Sequence, residues 1–410
     1  MKKIFVILFF SYSFLSAYFM VDDNYSKQLH VLNSLDIDAS FLHDDNLLDI
    51  KDGMSKNQAK YLLKVLEDGA EFVPMLRKMI NEAGIPEVFL YMAMAESGFS
   101  TKAYSKAKAS GIWQFMAPTA KKFGLEISDY VDERRDPIKS TEAAIGYLQT
   151  LHGMFGKWYL AAMAYNCGEG RVSRAIKEAG TDDLLILLDE EKKYLPAETR
   201  RYIRKIVAMA SLSENINFIL ENDVSHLLNR GSDTIVFEKV EIKGGSPLDS
   251  VSNAVNIPLN QLLSYNPHLN YFFTPPDKKT YHIYIPHDKQ IDFVNNFDEK
   301  SIKLYVYIVK QGDTFSKISK DHGIPLQVIK DFNNLSSYDL KIGQKIFIPI
   351  STNENVKLAS IQEHIVKQGD TLYSISSKYN VNVKAIMYAN NLKDGSTIYP
   401  GGKLAIPTNF

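Results

Sequence analysis

A chain of 410 residues is too long for one ordinary core, and its 45% apolar and 23% charged content is that of globular protein, not of a disordered or collagen-like chain. A formal net charge of −1 removes the electrostatic case for nucleic-acid binding. The single cysteine, Cys167, excludes an intrachain disulfide and any cysteine-pair metal site.

In chain order, Lys2-Lys3 followed by an apolar run from Ile4 to Phe10 and on to Ala17 predicts a secretory signal peptide over 1–17. The protein is therefore expected in the periplasm or cell envelope. The apolar run is shorter than the ~20 residues that span a bilayer. Its retention as an anchor, with peripheral or anchored membrane association, is the alternative, and no lipid-acceptor cysteine follows it. Residues 18–57 are polar and Asp-rich and read as a lead-in of uncertain order. From 58 to 222 apolar residues recur at three-to-four spacing, as in Tyr202, Ile203, Ile206, Val207 and Ala210, which predicts an all-α domain.

Within that domain the run Phe89-Leu-Tyr-Met-Ala-Met-Ala-Glu96 ends in a carboxylate. Pro86 suits a first helical turn and Gly98 a helix end, so Glu96 falls in the last turn of an otherwise apolar helix. Desolvation and the negative end of the helix dipole both raise the pKa of an acid so placed. A carboxyl that stays protonated near neutrality can deliver a proton to a leaving oxygen. The plainer reading is a surface Glu that closes its helix.

Polar linkers then separate smaller units. Two stretches nearly repeat each other: Ile308-Val-Lys-Gln-Gly-Asp-Thr314 and Ile365-Val-Lys-Gln-Gly-Asp-Thr371. Each continues through helical periodicity to a closing strand, an order that reads as βααβ over 304–350 and 363–408. An eroded third copy spans 234–287, with Ser246-Pro247 where the others have Asp-Thr, and reads best as a spacer. Gly312 and Gly369 suit the strand-to-helix turn, and Asp313 or Thr314 can cap the helix that follows.

The repeats resemble LysM domains, which bind N-acetylglucosamine-containing glycans. By that resemblance Gly312, Asp313, Thr314 and Phe315, with Gly369, Asp370, Thr371 and Leu372, are the candidate glycan-binding positions. The helical domain resembles the lytic transglycosylases of glycoside hydrolase family 23, with a goose-type lysozyme fold, in particular the D-type members with C-terminal LysM repeats. Four motifs in order carry the resemblance: Glu96-Ser97, Gly111-Ile-Trp-Gln-Phe-Met116, Ala164-Tyr-Asn-Cys-Gly-Glu-Gly170 and Glu198-Thr-Arg-Arg-Tyr202.

The implied fold class is a multidomain α+β chain, with an all-α lysozyme-like catalytic domain followed by βααβ modules. Glu96 is implied as the single catalytic acid/base. Ser105, Gln114, Met116, Tyr165, Asn166 and Tyr202 are implied as substrate-binding or steering residues, whereas Trp113 and Phe115 read as core. The implied reaction cleaves the MurNAc-β-(1,4)-GlcNAc bond of peptidoglycan strands and leaves a 1,6-anhydro-MurNAc end, with no cofactor and no metal. A muramidase that uses water and a non-catalytic wall-binding scaffold are the alternatives. Oligomeric state is not legible.

Overall fold

The computed structural model describes residues 24–57, 64–65, 69, 71–213, 235–299, 305–322, 324–333, 335–348, 360–379, 383, 386–387, 390, 392 and 397–408. The predicted signal peptide lies outside the described residues. Two compact units divide the chain. The first is helical and holds most of residues up to 234; the second holds 104–109, 125–136 and everything from 235 onward.

In the first unit, a helix over 24–34 (α1) and helix Asp45–Asn57 (α2) come before Val73–Glu82 (α3), Phe89–Ser97 (α4) and Ala117–Lys122 (α5). Helices Pro137–Phe155 (α6), Trp158–Cys167 (α7), Glu169–Ala179 (α8), Leu184–Leu187 (α9) and Ala197–Ser213 (α10) follow. Helices α4 and α7 are buried along almost their whole length: Phe89 through Met94 and Tyr159 through Ala164 have no exposed member. A helix that is apolar all round belongs in a core, and α10 packs against α2, α4 and α7.

The polar stretch read as a lead-in is a structured part of this unit, which corrects that expectation. Val31, Leu32, Leu35, Phe41 and Leu47 are at most 2% exposed. Asp44 accepts from the Leu47 amide at 2.7 Å and so caps α2, and its two oxygens also receive Arg204 of α10 at 2.9 Å each. Asp36 accepts the Trp158 amide at 2.8 Å. The many Asp residues that made the segment look solvent-exposed are partly its caps and ties.

The second unit repeats one small motif. Strands Phe237–Lys243 (β1) and Thr280–Pro286 (β2) pair antiparallel, with helices Leu248–Val255 (α11) and Leu259–Tyr265 (α12) between them. Helix Gln290–Asn296 (α13) follows. Strands Tyr305–Ile308 (β3) and Lys345–Ile348 (β4) enclose Phe315–His322 (α14) and Leu326–Phe332 (α15) in the same way. Strands Ser360–Ile365 (β5) and Lys403–Thr408 (β6) pair likewise around Leu372–Tyr379 (α16). The eroded copy thus shares the βααβ order of the intact ones. Its core, including Ile242, Leu248, Ile283 and Ile285, is continuous with that of the next module through Phe315, Ile346 and Ile348, whereas Val366, Ile375, Ile386, Leu404 and Ile406 form a separate small cluster. Among the described residues no helix is long and apolar enough to cross a membrane.

Candidate active site

The helix that carries Glu96 starts at Phe89, three residues after Pro86, because a tight turn in which the Phe89 amide donates to the Pro86 carbonyl comes first. It ends as the sequence predicts. Gly98 adopts φ 61°, ψ 38°, and its amide donates to the Met94 carbonyl at 2.9 Å. A left-handed residue closes a helix at little cost only when it has no Cβ. Glu96 therefore sits in the last turn, half-buried, at the negative end of the helix dipole.

Burial pushes the Glu96 carboxyl up to about 7, from an ordinary 4.5. Three neighbours on α10 modulate that effect. The Tyr202 hydroxyl donates to Glu96 Oε1 at 2.5 Å and the Lys205 ammonium lies nearby, both of which favour the carboxylate, whereas Glu198 opposes it. Residues 198, 202 and 205 follow four-then-three spacing and so share one helix face. Tyr202 was expected on this face. Lys205 and Glu198 were not, although the same spacing could have revealed them. Lys205 Nζ also donates to the Ala95 carbonyl at 3.1 Å, so a cation lies against the C-terminal end of α4. Burial, reinforced by contact with the acid, holds the Tyr202 phenol well above its usual value.

The loop after α4 is fastened to this helix. Ser97 Oγ donates to the Ile112 carbonyl at 2.8 Å. Trp113 is fully buried, with its indole donating to Thr141 at 2.8 Å, and Phe115 is 2% exposed, which agrees with their reading as core. Gln114 stands at φ 49°, and its amide donates to the Gly111 carbonyl at 2.8 Å, so the side chain holds its own turn together. Met116, by contrast, is 44% exposed at the start of α5.

From α7, Tyr165 donates to the Trp113 carbonyl at 2.8 Å and packs against Phe115 and Tyr147. Burial raises its phenol, and Glu96 is close enough that the acid's charge raises it further. Asn166 Oδ1 receives the Thr199 hydroxyl at 2.7 Å, which orients the amide. Within this unit the structure thus gathers Glu96, Tyr165 and Tyr202 around one carboxyl. Ser105 belongs to the second unit, where its hydroxyl accepts the Ala109 amide at 3.0 Å and closes a short turn. Glu169 opens α8 and hydrogen-bonds Tyr147, a role for which no catalytic duty is required.

The eight LysM positions divide by role. Gly312 and Gly369 take φ 84° and 88° at the turn. Asp313 Oδ2 accepts the Tyr307 hydroxyl at 2.7 Å and the Lys310 amide at 2.8 Å, and those bonds hold its carboxyl down at about 2. Asp370 repeats the arrangement with His364 at 2.8 Å and the Lys367 amide at 2.7 Å. Thr314 and Thr371 cap α14 and α16 by accepting from Lys317 and Ser374. Phe315 is core, and Leu372 packs on the core of its module. The Asp and Thr side chains thus spend their hydrogen bonds on the turn, and the turn backbone is what they shape.

Residues 75–185 match the Transglycosylase SLT domain family. Residues 236–302 match the LysM-like domain of the lytic transglycosylase MltD, and 307–349 and 364–407 each match the LysM domain. The chain is 27% identical over 383 residues to the membrane-bound lytic murein transglycosylase D of Escherichia coli, a match that spans 88% of this chain and 81% of that protein. A stretch of 108 residues is 35% identical to the N-acetylmuramoyl-L-alanine amidase sle1 of Staphylococcus epidermidis, covering 25% of this chain and 33% of that one. Among solved structures, the 70 kDa soluble lytic transglycosylase of Escherichia coli aligns with 36% of this chain and 24% of its own at 26% identity, with a TM-score of 0.29.

Proposed function

We infer that this chain, a lytic transglycosylase of peptidoglycan with LysM modules, uses Glu96 as its only acid and base. The observation that carries the assignment is a half-buried carboxyl raised to about 7 and gripped by Tyr202, at the end of a helix fastened to the Gly111–Met116 loop. Such a group can both give and take a proton near neutrality.

In the proposed reaction the Glu96 carboxylic acid protonates the oxygen that joins MurNAc to GlcNAc, and the C1–O bond breaks. The carbonyl oxygen of the muramyl N-acetyl group shares the positive charge at C1, a substrate-assisted route that needs no second carboxylate. The Glu96 carboxylate then removes the proton of the same sugar's C6 hydroxyl, whose oxygen bonds to C1. The 1,6-anhydro ring closes, the acid is regenerated and no water is consumed. An attacking hydroxyl on the same ring has the high effective concentration that lets it outrun solvent. We assign Asn166, oriented by Thr199, to the N-acetyl group, Tyr165 and Tyr202 to positioning the carboxyl, Met116 to the sugar cleft, and Gln114 to shaping the loop that carries it.

Product analysis separates this reading from hydrolysis. Digested sacculi should yield muramyl ends lighter by one water than the reducing ends that a muramidase leaves; reducing ends alone would overturn the transglycosylase step.

Tyr202→Phe supplies a second test. Removing a donor that favours the carboxylate should raise the Glu96 pKa further. Since the acid must be protonated to begin the reaction, activity falls as pH rises through that pKa, and the alkaline limb of the pH–rate profile should move upward in the variant. Loss of the hydrogen bond should also lower the maximal rate, by roughly tenfold for an interaction of about 1.5 kcal/mol. An alkaline limb that stayed in place would remove Tyr202 from contact with the acid in solution.

The two LysM modules, by this reading, hold the enzyme on glycan, since weak contacts linked on one chain multiply. Export by the N-terminal segment to the periplasm completes the proposal.

A further inference from the structure

Three buried side chains far apart in the chain converge within the second unit, outside the catalytic machinery. Asp136, His268 and His282 are 0%, 0% and 4% exposed, and one ligand atom from each lies within 4.8 Å of the other two. His282 Nε2 is 3.0 Å and His268 Nδ1 3.7 Å from the same oxygen, Asp136 Oδ2. The Tyr284 hydroxyl reaches that oxygen at 3.1 Å. His282 and Tyr284 stand two apart on β2 and so share one face of the strand.

Pairing among the three does not account for His268. Both of its ring nitrogens are shut off from solvent and neither has a hydrogen-bond partner. Its Nδ1 is too far from Asp136 for a hydrogen bond. Buried imidazole nitrogens are ordinarily satisfied, and two orphans on one ring call for an occupant.

We propose that Asp136, His268 and His282 hold a divalent transition-metal ion, zinc by donor type, that ties the first βααβ module to the 125–136 segment. Two imidazole nitrogens and a carboxylate oxygen form a donor set that zinc uses, at about 2.0–2.2 Å per bond. Ligand atoms around a tetrahedral ion at that distance stand about 3.3 Å from one another; the two imidazole-to-carboxylate separations, 3.0 and 3.7 Å, lie on either side of that value, and all three atoms lie within 4.8 Å of one another. The Tyr284 hydroxyl, or a water, would supply the remaining contact. The ion would give His268 Nδ1 the partner it lacks and join segments 146 residues apart in sequence. With no opening to solvent at the three residues, it would enter as the unit folds, so its binding would appear as folding stability. Its role is structural; no step of the glycan chemistry passes through it.

The test uses the full chain, produced in medium supplemented with Zn2+ and purified without chelator. Elemental analysis should find one zinc per chain, and Co2+ in its place should give the visible d–d bands of a low-coordinate site. His268→Gln should abolish the bound metal and lower the melting temperature by several degrees to the value of the parent freed of metal by chelator. The same variant should keep its lytic activity, which shows that it has folded. A second variant, His282→Asn, should lose the metal likewise. A parent free of any transition metal, or a His268→Gln protein that retains it, would overturn the site and leave a purely hydrogen-bonded Asp–His–Tyr cluster with water beside His268.

Discussion

Glu96→Gln is expected to slow peptidoglycan turnover by about a hundred- to ten-thousand-fold, the range in which a positioned acid or base contributes. The substitution keeps size and shape and can still accept from Tyr202, so the loss isolates proton transfer. It should also change stability, with a definite sign. The folded state holds the Glu96 proton more tightly than the unfolded chain does, since burial raises its pKa from 4.5 to about 7. Its contribution is favourable below pH 4.5 and is lost as pH rises through about 7. That gap corresponds to at most about 3 kcal/mol, less where solvent reaches the half-buried carboxyl. The neutral amide escapes this penalty. Denaturation above pH 7 should therefore find the inactive variant more stable than the parent, with the difference shrinking as pH falls toward 4.5. An active Gln variant would remove Glu96 from the mechanism. An inactive variant with no gain at high pH would instead argue that the carboxyl is well solvated.

Arg204→Leu is expected to cost about 3–5 kcal/mol, as breaking one side of a buried ion pair does. The Arg204 side chain is 4% exposed and that of Asp44 10%, and they meet through two bonds of 2.9 Å. Removing the guanidinium leaves a buried aspartate that also caps α2. Arg204 further reaches Glu190 at 2.9 Å, but that partner is half-exposed and adds little. Urea unfolding should show the loss as a lower midpoint with an unchanged slope. Asp44→Asn in the Arg204→Leu background should recover part of it, because the orphaned charge is then gone. An unfolding free energy within a few tenths of a kcal/mol of the parent's would mean that residues 24–57 do not pack on α10 in solution.

Much of the candidate site was legible because its signals are local. An acid that interrupts an apolar run just before a glycine predicts a desolvated carboxyl in a last turn, and Glu96 and Gly98 are found so. Two copies of Gly-Asp-Thr predict two identical turns. The sequence could not, however, distinguish an Asp313 that faces a sugar from one that locks its own turn, because the deciding partner, Tyr307, comes from the preceding strand. Nor could it show that the Gln114 amide turns back on the Gly111 carbonyl. The lead-in failed on composition. A stretch rich in Asp looks solvated until its carboxylates find helix N-termini and an arginine 160 residues away.

By itself the sequence determined the helical character of the first unit, the βααβ repeats and the one carboxyl set at a helix end, since periodicity, caps and turns depend on neighbours a few residues apart. Only the tertiary structure decided how that carboxyl titrates, with Tyr202 106 residues distant, and which acidic residues serve the fold. It alone brought Asp136, His268 and His282 together. Desolvation and charge pairing depend on which surfaces leave water together, a property of the packed chain that no short stretch of it carries.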